Sequence, residues 1–163
     1  MKTLLIVFHS LTGGTRQMAD AAAVGASGEA EASVRLLTAS TAEAADLLGA
    51  DGYLFATPEN LAAIAGQMKD FFDRTYYPAL DRINGRPYAV MICAGSDGEN
   101  AARQIARIAT GWRLRPVADP LIVRTNAQTP EAILAPKTVA AADLGRCRDL
   151  GAALATGLAA GIF

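Results

Sequence analysis

The sequence predicts a doubly wound α/β domain, with five strands in a parallel sheet and helices on both faces in a three-layer α/β/α arrangement. Short, nearly continuous apolar runs alternate along the whole chain with stretches whose apolar residues recur at helical spacing. Continuous rather than alternating apolar runs mark strands buried on both faces, and parallel strands require crossover helices that return right-handed over the sheet. The 163 residues, 52% of them apolar, suit one domain with a substantial core and leave no room for a second.

The first strand spans residues 4–8, Leu-Leu-Ile-Val-Phe, and runs into the polar loop His9-Ser10-Leu11-Thr12-Gly13-Gly14-Thr15. A helix from about Gly14 to Gly25 follows, then a strand over Ala32–Leu37. Ser40 and Glu43 have the spacing of a capping box for a short helix ending at Gly49. Tyr53–Ala56 is a third strand ending at Thr57-Pro58, and Ile64, Met68, Phe71, Phe72 and Tyr76 share one face of the next helix. Pro87–Cys93 forms the fourth strand, Ala94–Gly98 a loop, and Ala101, Ile105, Ile108, Ala109 and Trp112 the stripe of a fourth helix. Val117–Val123 carries Pro120 and belongs at a sheet edge. Thr125–Lys137 is a polar excursion, and a final helix from about Thr138 buries Leu144, Cys147, Leu154 and Leu158.

Fifteen Lys and Arg against sixteen Asp and Glu give a net charge of −1, which argues against a nucleic-acid partner. The opening Met1-Lys2-Thr3 and its apolar run imitate a signal peptide, but the run stops at His9. No stretch reaches the roughly 18–20 apolar residues of a membrane span. Cys93 and Cys147 show neither metal-ligand nor disulfide-framework spacing. A cytoplasmic protein without a metal site is the expectation.

Ligands of doubly wound sheets lie beyond the carboxyl ends of the strands, so function belongs to the loops after strands one, three and four. In the first loop Ser10, Thr12 and Thr15 offer hydroxyls, and Gly13 and Gly14 let the backbone curl so that amides converge at a helix start, which suits a phosphate. The alternative is a polar turn with Thr12 or Ser10 as N-cap. No G-x-G-x-x-G follows the first strand, and the lysine of a nucleotide-triphosphatase loop is missing. Glu99 stands where a Cys-x5-Arg phosphatase cradle starting at Cys93 needs arginine. A phosphate monoester remains.

Ser10-x-Thr12-Gly13-x-Thr15 resembles the FMN-phosphate loop of the flavodoxin-like superfamily, and Gly66-Gln67-Met68-Lys69-x-Phe71-x-Asp73-Arg74 resembles its NAD(P)H-dependent flavin and quinone reductase branch. The likeness runs from Lys2 to about Val123 and implies strand order 2-1-3-4-5 with FMN at the switch point. It also implies that Ser10, Leu11, Thr12, Gly13, Gly14 and Thr15 hold the phosphate. Thr57, Pro58, Glu59 and Asn60, with Leu61–Ile64, would border the ring and ribityl chain, while Ala94, Gly95, Ser96, Asp97 and Gly98 approach the pyrimidine edge. Taken alone, Thr57–Asn60 is also a good turn and helix entry.

The chain departs from electron-shuttle flavodoxins in having no Phe, Trp or Tyr in Thr57–Ile64 or Ala94–Asn100. One ring face would then be open to a nicotinamide or a planar quinone. The resemblance therefore implies an oxidoreductase passing electrons from NADH or NADPH through FMN to a quinone, flavin or similar small-molecule acceptor. A homo-oligomer whose second subunit closes the open face is compatible with this. The alternatives are a flavodoxin carrying electrons between proteins and a non-catalytic regulatory module on the same scaffold. No side chain is assigned as catalytic acid or base. His9, Cys93, Tyr76, Tyr77 and Trp112 are expected to be structural, and Arg103, Arg107, Arg113 and Arg115 a solvated face, with contact to a nicotinamide ribose phosphate as the alternative for the arginines.

Overall fold

The computed structural model describes residues 1–163. β1 (Lys2–Phe8) enters the centre of the sheet, and its side chains alternate between two cores. Leu5 and Val7 face one, Leu4, Ile6 and Phe8 the other, and all five are buried. That double burial is why the strand is apolar without alternation. α1 (Gly14–Ala26) and β2 (Ala32–Thr38) complete the first crossover, with β2 parallel to β1 and Leu4 opposite Val34.

α2 (Ala44–Leu48) is shorter and starts later than the Ser40–Glu43 spacing predicts. The capping box is present one turn further on: Glu43 is the N-cap, and its backbone N–H donates to the Asp46 carboxylate at 2.8 Å. Ser40 instead shares a hydroxyl cluster with Thr38, which leaves the cap to the next acidic pair. Arg86 closes the other end by donating to the carbonyls of Leu47, Leu48 and Ala50 and to the Tyr53 hydroxyl. Burial pushes that phenol up to about 12, against the opposing pull of Arg86.

β3 (Gly52–Asn60) runs four residues past the predicted end. Thr57–Asn60 is therefore strand, not a turn or helix entry, and pairs back antiparallel through Glu59 and Asn60 with β4 (Ala63–Ile64). Ile64 is buried from this short strand rather than from a helix. α3 (Gly66–Ala79) then buries Met68, Phe71, Phe72, Thr75 and Ala79. β5 (Pro87–Ala94) takes in Ala94, which was expected in the loop, and α4 (Glu99–Gly111) follows. Trp112, at the α4 C-cap, is fully buried and donates its indole N–H to the Tyr76 carbonyl at 2.9 Å, so both aromatic residues pack the core as expected.

The edge strand is split into β6 (Arg115–Pro116) and β7 (Leu121–Arg124), both parallel to β5. Pro116 and Pro120 have no N–H to give to a ladder, which accounts for the interruption. The five ladder positions thus read β2-β1-β3-β5-β6/β7, with β4 paired only to β3. α5 (Pro130–Leu134) interrupts the expected loop excursion, and α6 (Ala141–Ala159) begins three residues beyond the predicted start.

α1 and α6 cover one face of the sheet, and α2, α3 and α4 the other. Gly25 and Gly151 permit the close α1–α6 crossing: a Cβ on Gly151 would stand 2.0 Å from the Ala22 carbonyl oxygen. No helix is long and apolar enough to cross a membrane.

Candidate functional site

A cleft opens at the carboxyl ends of β1, β3, β5 and β7. Ser10, Leu11, Thr12, Gly14, Thr15, Pro58, Glu59, Asn60, Ala94 and Gly95 line it, and its void is about 460 Å³ including the open mouth. The switch point of the strand order lies here, between β1 and β3.

The first loop has the form of an anion cradle. Gly13 sits at φ 93°, a left-handed conformation that costs a residue with a Cβ about 1–2 kcal/mol, and serves as N-cap of α1 without a capping side chain. The first-turn amides of α1 therefore keep their helix-dipole charge, and no acidic residue occupies that turn. Gly14 lies tight against the sheet, since a Cβ there would come within 2.6 Å of the Cys93 sulfur. The Ser10 hydroxyl accepts the Gly13 N–H at 3.1 Å and holds the curl closed.

Thr15 is the sharpest feature. Its residue is 2% exposed, and its hydroxyl is buried without any hydrogen-bond partner. A buried orphan hydroxyl costs about 1–3 kcal/mol, and this one lines a cleft at a helix N-terminus. A phosphate ester of FMN would supply the missing acceptor, so the residues present fit that group.

The second and third loops are tied to each other. The Glu59 carboxylate accepts the Gly98 N–H at 2.8 Å and the Ala101 N–H at 3.3 Å, capping α4 from another element. Asn100 donates to the Ala62 carbonyl at 2.5 Å, and Gln104 accepts the Ile64 N–H at 2.9 Å. Thr57 is fully buried and accepts the Ala65 N–H at 3.2 Å. Thr57 thus shapes the wall from behind, while Pro58, Glu59 and Asn60 line the cleft, Glu59 with its carboxylate also engaged by the start of α4.

Ser96, Asp97 and Gly98 do not line the cleft. Ser96 and Asp97 are exposed, Asp97 accepts the Glu99 N–H at 3.3 Å, and Gly98 spends its amide on Glu59. Gly13 likewise faces the far side of the first loop. Of the third loop only Ala94 and Gly95 meet the first loop across the opening.

The cleft has a fourth wall that the sequence reading does not include: Cys93, Thr125, Ala127, Ile133 and Lys137. Thr125 and Ala127 follow β7 at the same carboxyl edge, so extending the strand-end rule to the fifth strand finds them. Nothing local marks Lys137. Its ammonium donates to the carbonyls of Ala132, Ile133 and Ala135, its amide donates to the Thr12 carbonyl at 2.8 Å, and Gln17 donates to the Lys137 carbonyl. Burial pushes the Cys93 thiol up, against the pull of Lys137, which keeps it a neutral thiol. Burial also lowers His9, against a hydrogen bond with Gln67.

Comparison with known proteins agrees with this geometry. The family described as NADPH-dependent FMN reductase matches residues 37–129, more than half of the chain, including the second and third loops. A flavodoxin of Aquifex aeolicus is 31% identical over 60% of this chain and 53% of its own length. An NAD(P)H dehydrogenase (quinone) of Acidithiobacillus ferrooxidans is 37% identical over 46% of this chain and 48% of its own. The chain therefore spans about half the length of these curated relatives. A flavodoxin from the domain Archaea superposes with a TM-score of 0.77 at 18% identity, covering 96% of this chain and 98% of that one. With a flavodoxin-like sheet and a family match over both ring-side loops, the chain belongs to the NADPH-dependent FMN reductase family.

Proposed function

We propose that the chain is an FMN-binding oxidoreductase that takes reducing equivalents from a nicotinamide nucleotide and delivers them to a quinone, flavin or similar small acceptor. The observation that carries this reading is the orphaned Thr15 hydroxyl at the base of a glycine cradle. The family match and the NAD(P)H dehydrogenase (quinone) relative support the reaction class.

Bound FMN supplies the ability to accept a hydride and release electrons singly or in pairs. The chain binds and orients. The Thr15 hydroxyl and the first-turn amides of α1 hold the phosphate, Ser10 keeps the loop curled, and Pro58, Asn60, Ala94 and Gly95 form the walls. Glu59 fixes the spacing of the two ring-side loops by capping α4. No side chain of the cleft is assigned as a general acid or base: the Glu59 carboxylate caps α4, the Cys93 thiol is held neutral by burial, and the Lys137 ammonium donates to three backbone carbonyls.

The absorption spectrum of the purified protein, followed by FMN titration and assay of NADH and NADPH oxidation with a quinone acceptor, tests the reading. A flavin spectrum with sustained nicotinamide oxidation is expected. A second reading, an electron carrier between proteins, is favoured by the flavodoxin relative of Aquifex aeolicus; flavin binding without nicotinamide oxidation by either nucleotide would select it. A protein that refuses FMN would leave only a non-catalytic module.

A further inference from the structure

The Gln17 side chain ties together the two segments that meet at the phosphate cradle. It stands half-buried on α1, one helical turn beyond the Gly13 N-cap. Its amide nitrogen donates to the Gly13 carbonyl at 2.9 Å and to the Lys137 carbonyl at 2.8 Å, and its oxygen accepts the Val139 N–H at 3.0 Å. The Lys137 N–H adds a bond to the Thr12 carbonyl at 2.8 Å. Both amide hydrogens and the oxygen of Gln17 are therefore spent on backbone, across 120 and 122 positions of sequence for the two bonds to the far segment. Lys137 also rests on the cradle, since a Cβ on Gly14 would meet its Cβ at 3.5 Å and its Cγ at 3.7 Å.

The carbonyls held in this way are the two that would spoil an anion site. Gly13 and Gly14 are adjacent and have no Cβ to restrict them, so the peptide unit between them can turn over at little steric cost. In a trans peptide the N–H and the carbonyl point in opposite directions, so one orientation turns the N–H of cleft-lining Gly14 inward and the other presents an oxygen, which would repel a phosphate. The Gly13 carbonyl accepts both the Gln17 side chain and the Gln17 backbone N–H, the latter at 3.1 Å, and the Thr12 carbonyl is taken by Lys137. Neither oxygen is free to rotate inward. Gln17 itself does not line the cleft, and no side chain caps α1 from Gly13, so the hold on the loop comes from behind.

We propose that Gln17 is a positioning residue for the FMN phosphate: it sets the cradle with its amides inward before the cofactor arrives, and it makes the Lys137–Val139 segment part of that cradle. The role rests on the FMN reading of the cleft. Phosphate occupancy and the seating of the fourth wall are then one equilibrium, because whatever steadies the Thr12 and Gly13 carbonyls steadies their partners at Lys137 and Val139 as well. Riboflavin, with the same ring and ribityl chain but no phosphate, does not engage that equilibrium.

Comparing FMN with riboflavin on the full chain separates this role from general support of the cleft. Gln17→Met keeps the length of the side chain and removes its hydrogen bonds. Quenching of flavin fluorescence should show the FMN dissociation constant raised by about 5–30-fold in the variant, with the riboflavin constant within about twofold of the wild type. In the wild type, FMN should slow hydrogen exchange at the Lys137 and Val139 amides by at least about fivefold, and riboflavin should leave it unchanged. That second measurement decides alone if Gln17→Met does not fold. Equal losses of FMN and riboflavin affinity, an unaltered FMN affinity, or exchange slowed equally by both flavins overturns the role of Gln17 and leaves FMN binding standing. A wild type that binds neither flavin overturns the cofactor reading, and this role with it.

Discussion

Thr15→Val should move stability and cofactor affinity in opposite directions. In the protein without FMN, the Thr15 hydroxyl is buried and unpaired. Valine has nearly the same shape and replaces that hydroxyl by a methyl, removing a penalty of about 1–3 kcal/mol for an unsatisfied group. The apoprotein should gain about 1–2 kcal/mol, measured by urea unfolding. With FMN bound, the same hydroxyl donates to a charged phosphate oxygen, a bond worth about 1.5–3 kcal/mol. At about 1.4 kcal/mol per factor of ten, the dissociation constant for FMN should rise by about 10–100-fold, measured by quenching of flavin fluorescence. An apoprotein destabilised by the change, or an unaltered FMN affinity, would refute the assignment of Thr15 to the phosphate.

Gly14→Ala drives a Cβ to within 2.6 Å of the Cys93 sulfur and should cost about 1–3 kcal/mol. Adding Cys93→Ala should recover at least about 1 kcal/mol in a double-mutant cycle, whereas strict additivity would show that the contact is relieved elsewhere. Glu59→Gln removes the charge from a carboxylate that caps α4 through two amides and should lower the Tm by about 2–4 °C. His9 has its folded pKa below the ordinary 6.5 because burial disfavours the cation. The unfolded chain therefore binds the extra proton first, so the contribution of His9 is complete above the unfolded value and is lost as pH falls through the folded one. Urea midpoints between about pH 5 and 7.5 should decline less in His9→Gln than in the wild type.

The sheet was legible because its strands are buried on both faces, and residues 4–8 and Pro87–Cys93 carry that pressure as unbroken apolar runs. The β3–β4 hairpin was not. Its turn residues Leu61 and Ala62 hold φ values of 50° and 62°, where Asn-Gly is the usual signal, so local propensity points away from the observed turn. The long-range bonds from Asn100 and Gln104 impose it. The Lys137 end of the fourth wall was hidden for a similar reason: it is fixed by the Gln17 side chain and the Thr12 carbonyl, more than a hundred residues away, and leaves no periodic trace. At the site itself, spacing points to the first loop, whereas the double task of Glu59, which lines the cleft while its carboxylate caps the start of α4, leaves no trace in the sequence.

That occupied carboxylate explains how a strained turn persists at the cleft mouth. Two consecutive left-handed residues with side chains cost about 1–2 kcal/mol each, and Leu61 is fully exposed, so burial of its side chain contributes nothing in return. The offset comes from α4. Glu59, Asn100 and Gln104 together make four hydrogen bonds between the hairpin and that helix, one pair of them to a charged acceptor at the helix N-terminus. At about 0.5–1.5 kcal/mol for an ordinary bond and more for a charged one, they match the strain. The two loops beside the cleft are consequently one mechanical unit: a change that loosens the α4 N-terminus releases the turn as well. The spacing between Pro58 and Gly95, and with it the width available to a planar ring, is set by a carboxylate that acts through backbone amides of the opposite wall.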